Sequence, residues 1–114
     1  MFINLTPHTI RIIDTDMVVH EINPSGTVAR VETVETEEVP VVVDGAKFSV
    51  TSRTMGAVSG LPDPNGVSIY IVSSMVLDAI QGRDDVFAPD TGKTAIRDEM
   101  GLVWAAINLI ECRP

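Results

Sequence analysis

Turn signals break this chain so often that only short elements fit between them. Thr6-Pro7, "DTDM" at 14–17, "NPSG" at 23–26, Asp44-Gly45, "GAVSGLPDPNG" at 56–66, "APDTGKT" at 88–94 and Met100-Gly101 recur along the 114 residues. Between them lie runs rich in Val, Ile and Thr: "FINL", "TIRII", "MVVHEI", "TVARVETVE", "VPVVV", "AKFSVTS" and "VSIYIV". β-branched residues suit the extended backbone, and such runs bounded by Gly, Pro, Asn and Asp read as strands joined by turns. The sequence therefore predicts one mainly β domain over 1–114, strictly α+β because of one short helix near 74–81. Roughly seven to nine short strands are expected, paired antiparallel and arranged as a small barrel or sandwich, between which the pattern does not choose.

Individual signals sharpen this reading. Pro7 fixes φ and lacks an N–H, so a bend or bulge separates the first two strands. Asp44-Gly45 is a favoured two-residue hairpin turn between "VPVVV" and "AKFSVTS". The segment 56–66 holds three Gly and two Pro in eleven residues, which predicts a stiff loop of defined shape. Glu35, Glu37 and Glu38 read as a solvated loop or strand edge, where charge discourages edge-to-edge pairing. The closing run "LVWAAINLIEC" has enough alanine for a helix, but its Val, Trp and Ile content favours strand.

Composition removes whole classes of function. Eight basic against sixteen acidic residues give a net charge of −8, which repels duplex nucleic acid and anionic lipid. A small anion is still compatible, because two or three converging arginines set the local field. No apolar run approaches the roughly 20 residues of a membrane span, and "MFINLTPHTI" lacks the basic start of a signal peptide. The single cysteine, Cys112, allows no internal disulfide and fits a reducing cytosol.

The stretch "SIYIVSSMVLDAIQGRDD" at 68–85 concentrates the residues that could carry chemistry. Ser73 or Ser74 sits where a strand gives way to a helix, a position at which a hydroxyl caps the helix. Met75, Val76, Ala79 and Ile80 then share a helical face, and Gly82 is the expected left-handed stop. The same hydroxyls and backbone N–H groups suit a phosphate or carboxylate if an arginine converges on them. Arg30, Arg53 and Arg97 could do so only through the fold, and Arg83 lies beyond the far end of the helix. A nucleophilic role is weaker, since "VSSMV" lacks the Gly-x-Ser-x-Gly elbow and only His8 or His20 is available as a base. Two triplets, Arg83-Asp84-Asp85 and Arg97-Asp98-Glu99, either pair locally at turns or present Arg83 and Arg97 to an anion. In the second case Asp84 or Asp98 would accept from a base or ribose hydroxyl. Tyr70, Phe87 and Trp104 are the candidates for stacking, and each also suits a core.

Taken in order, "NLTPHTI", "INPSGTVARVE", "GAVSGLPDPNGVSIYIVSSMVLDAI" and "GRDDVFAPDTG" with "IRDE.G" resemble a small protein family found mainly in bacteriophage and prophage genomes. The resemblance spans nearly the whole chain, apart from the less regular "VETEEVPVVVDGAKFSVTSRTM". It implies a phage origin and action in the cytoplasm of the infected bacterium, and transfers no catalytic residue. By analogy of class, small phage proteins of the anti-Thoeris and anti-CBASS type sequester cyclic nucleotide signals in pockets of small oligomers.

The resulting expectation is a phage accessory protein, not an enzyme and without a cofactor or metal, that binds and sequesters a small anionic ligand. A cyclic nucleotide or an ADP-ribose derivative is the expected class, and a homo-oligomer the expected state. The ligand-binding candidates are Ser73, Ser74, Arg83, Asp84, Arg97, Asp98, Arg30 and His8. One alternative is a protein-interaction or structural phage protein; another is a hydrolase of nucleotide signals.

Overall fold

The computed structural model describes residues 1–114. In chain order the elements are β1 (Phe2–Asn4), β2 (Ile10–Ile13), β3 (Val19–Ile22), β4 (Arg30–Glu35), β5 (Val39–Val43), β6 (Ala46–Val50), β7 (Arg53–Ser59) and β8 (Ile69–Ile71). Then follow α1 (Ser74–Asp78), β9 (Val86–Pro89), β10 (Ile96–Arg97), β11 (Val103–Ala105) and β12 (Leu109–Glu111). The mainly β expectation holds, with one short helix.

A four-stranded sheet of order β1-β8-β9-β12 forms the centre. β12 runs antiparallel to β9, as the turn pattern implies, but β1, β8 and β9 are mutually parallel. Parallel pairing needs long crossovers, and those between β1 and β8 are built from the two hairpins inserted there. Alternation along the strands points Ile3, Tyr70, Val72, Val86 and Ala88 to one side, where they pack with Leu5, Ala29, Val76, Leu77 and Cys112 into the main core. Ile71 faces the other way; it, Ile12, Ile13, Ala105 and Ala106 are buried outside that cluster. The β2–β3 and β10–β11 hairpins join there through the Ile12–Ala106 bridge. The other two-stranded sheets are β4–β7 and β5–β6, so neither a closed barrel nor a symmetrical sandwich results.

Most of the motif residues work as turn architecture. Asn4 is 1% exposed, and its amide donates to the carbonyls of His8 at 2.7 Å and Ile22 at 3.0 Å. Its Oδ1 accepts from the backbone N–H and hydroxyl of Thr6, and its carbonyl accepts from the Ser25 hydroxyl at 2.8 Å. "NLTPH" and "NPSG" are therefore one hydrogen-bonded corner. No buried side-chain polar atom lacks a partner, as a settled interior requires.

The helix is shorter than the 74–81 expected. Leu77 N–H reaches the Ser73 carbonyl, but Ala79 and Ile80 donate three residues back, to Val76 and Leu77, which tightens and ends the turn. Arg113 Nη2 donates to the Asp78 carbonyl at 2.6 Å, satisfying one freed acceptor. Gly82 has φ +75° but lies beyond the helix end. The buried helical residues are Val76 and Leu77, while Met75 is exposed; five residues are too few to hold the longer amphipathic face.

Residues 30–59 form an arm. β4 pairs with β7 and β5 with β6, closed at Asp44-Gly45, whose φ values of 50° and 80° are those of a type I′ turn. Every residue of β5 and β6 is exposed. The radius of gyration is 17.9 Å, against about 13 Å for a compact chain of this length.

Candidate functional site

Val72 follows β8 inside the core and Ser73 turns the chain outward with extended φ/ψ of −69° and 159°. Its hydroxyl accepts from Val76 N–H at 3.3 Å, so the capping role is filled. The hydroxyl hydrogen remains free to donate into the cleft beside it. That cleft, about 230 Å³, has Leu5, Ala29 and Val76 in its walls and Thr6, Arg30 and Ser73 among its polar lining residues. Ser73 thus shares a cleft with an arginine from a distant segment, brought there because β4 starts against the β1–β2 corner through the Ala29 N–H to Leu5 carbonyl bond of 2.9 Å. Ser74 is exposed and does not line the cleft.

The six arginines divide cleanly. Arg11 pairs with Glu21 at 3.2 Å, Arg53 with Glu35 at 2.7 Å and Arg83 with Asp85 at 2.9 Å. Arg97 donates to the carbonyls of Gly101 and Thr91, and Arg113 to that of Asp78. Arg30, on the exposed lip of the cleft, is the sixth. Its side chain makes no hydrogen bond or ion pair within the fold, so it is the one guanidinium with all its donors unengaged.

Among the other sequence candidates, Arg83, Arg97 and Asp98 have structural duties. Arg83 is bidentate to Asp85 through Nε and Nη2 and also donates to the Pro62 carbonyl at 2.9 Å. This pins the Gly/Pro-rich loop to β9. The hydrogen bond with Arg83 holds the Asp85 carboxyl below the usual carboxylate range and raises the Arg83 guanidinium, against the opposing effect of desolvation. Asp84 lines a separate hollow with Arg83, Phe87 and Glu111, so "GRDD" and Ser73 serve two places. Asp98 accepts from Met100 and Leu102 N–H, which makes "IRDE.G" a hairpin turn. The His8 carbonyl joins the Asn4 corner while the residue is exposed. His20 Nε2 lies 2.7 Å from Asp14 Oδ2, and that contact, with the Val18 N–H, lowers the Asp14 carboxyl. Neither histidine lines the Ser73 cleft.

Tyr70 is in the main core, and Trp104 has the Arg11 guanidinium 5.2 Å from its ring centroid, a cation–π contact. No cluster of three or more His, Cys, Asp or Glu is placed to hold a metal ion. No helix is long and apolar enough to cross a membrane. Sequence reasoning missed the Asn4 corner, although Asn at the end of an apolar strand followed by Thr-Pro is a visible turn signal. It also missed that one face of the arm is wholly apolar. The chain matches no protein-family model, no curated protein and no solved structure at a significant level.

Proposed function

We propose that this chain is a non-enzymatic binding protein that captures a small anionic ligand in the Arg30–Ser73 cleft. The observation that carries this reading is the free guanidinium of Arg30, the one arginine without a partner in the fold, beside a hydroxyl whose hydrogen is unspent. A five-residue helix has little dipole, so the attraction comes from the side-chain charge. The cleft is smaller than the roughly 300–1,000 Å³ of whole-ligand pockets. It accommodates a phosphate or carboxylate with one ring against Leu5, Val28 and Met75 rather than a complete dinucleotide. Nucleotide signals, cyclic nucleotides or ADP-ribose derivatives, are the ligand class, and sequestration in an infected bacterium is the biological reading.

Isothermal titration with a panel of these compounds tests the reading. Arg30→Ala is expected to weaken binding about ten- to a hundredfold, as loss of a charge-assisted hydrogen bond does. A panel with no micromolar binder, or equal affinity for the wild type and Arg30→Ala, would falsify it. The hydrolase alternative, which needs His8 or His20 as a base, draws less support, because neither histidine lines the Ser73 cleft. The interaction-protein alternative draws on a different feature, the exposed arm.

A further inference from the structure

The register of the β5–β6 ribbon sorts its side chains by face. Val39 opposes Val50, Val41 opposes Phe48 and Val43 opposes Ala46, while Pro40 opposes Ser49 and Val42 opposes Lys47. Because side chains alternate along a strand, the first three pairs form one face of six apolar residues without a polar atom in any side chain. The remaining pairs form a mixed face. On the apolar face Val39, Val41, Val43, Phe48 and Val50 are between 40% and 57% exposed, and nothing in the same chain covers them.

Such a ribbon is not self-sufficient. An isolated two-stranded hairpin is marginally stable in water, and a contiguous apolar patch of several hundred Å² on a monomer marks an interaction site. The edges are poorly suited to strand addition on the β5 side. Counting from the two-residue turn, Pro40 falls at a non-hydrogen-bonded pair, where its nitrogen points away from β6. The outer edge of β5 thereby lacks a donor in its middle, which blunts edge-to-edge growth. On that side the face rather than the edge is left to be covered.

We infer that the apolar face of the β5–β6 arm is covered by the same face of a second copy of the chain, packed about a two-fold axis. A two-fold contact needs a surface complementary to itself, and a flat aliphatic face with no charge meets that condition, since burying it against its twin strands no polar group. Two such faces bury on the order of 1,000 Å² together, the lower limit for specific association. An interface of that size is typical of a concentration-dependent dimer rather than a permanent one. An anionic membrane is the less favoured cover, because the chain carries a net charge of −8. The inference stands apart from the Arg30 cleft, whose occupancy it neither requires nor excludes.

Sedimentation equilibrium of the full chain from micromolar to near-millimolar concentration provides the test. A monomer–dimer equilibrium is expected, with hydrogen-exchange protection of residues 39–50 rising with concentration. Phe48→Glu is expected to weaken the dimer at least about tenfold by placing a charge in the apolar contact, whereas Val42→Glu, on the opposite face, leaves it within about twofold. Because both positions are exposed, far-ultraviolet circular dichroism should be unchanged in both variants. A chain that stays monomeric throughout, or equal weakening by the two substitutions, overturns the inference. So does protection of the arm that appears only when phosphatidylcholine vesicles are added.

Discussion

Asp85 is the one acidic or basic residue that the fold buries. It is 8% exposed, accepts two hydrogen bonds from Arg83, and through that arginine ties the loop at Pro62 to the central sheet. Removing the charge in Asp85→Asn leaves a largely buried guanidinium short of its partner and is expected to destabilise the protein by about 1–3 kcal/mol, measured by urea unfolding. The pH dependence follows from the direction of the shift. A carboxyl held below its unfolded value of 3.8 binds protons more readily unfolded than folded. Its stabilisation is therefore complete above that value and is lost as pH falls through the lower folded one. Asp14 is shifted the same way by His20, so an acid limb below about pH 4 is expected, shallower in Asp85→Asn. Local pairing of Arg83 with an acid two residues on was readable in the sequence, and so was the capping role of Ser73. Whether Arg30 or Arg97 would be left unpaired was not readable, because the carbonyls that occupy Arg97 belong to turns whose geometry exists only once folded.

At the scale of elements, two loops have narrow tolerances. Gly60 combines φ +78° with backbone contact: a Cβ there would overlap the Val28 carbonyl oxygen. Gly60→Ala is expected to destabilise by about 2 kcal/mol or more, read as a lower urea midpoint, since the strained φ and the overlap add. Ser73→Ala removes the cap of α1 and is expected to cost about 1 kcal/mol. The strand-rich character, the Asp44-Gly45 hairpin and the position of the helix start were all legible, because each depends on residues a few positions apart. The parallel pairing of β1 with β8 was not. It joins Phe2 to Ile69, and no local pattern encodes a partner that far along the chain. The arm illustrates the same limit in another way. The apolar face follows only once the register of β5 against β6 is known, and alternation cannot tell a face that meets the body of its own chain from one that extends beyond it.

For the whole molecule, stability is expected to be uneven. β8 and β9 form the sheet centre, where Ile71, Val72, Val86 and Ala88 are 0% exposed, whereas β5 and β6 contribute nothing to the core. In dilute solution, amides of β8 and β9 should exchange only by global unfolding, and those of β5 and β6 by local fraying at least about a hundredfold faster. Comparable protection across both regions would contradict this division.

Arg30 is the first residue of β4, so the lip of the cleft and the root of the arm are one strand. A ligand that holds Arg30 in place fixes the end from which the ribbon extends, and pairing of the ribbon fixes the same strand from its other end. If the two events are coupled through β4, thermodynamic linkage makes the coupling reciprocal: by whatever factor ligand tightens the dimer, the dimer tightens ligand. A titration performed below and above the dimerisation range would then return two different affinities, and their ratio would measure that coupling directly.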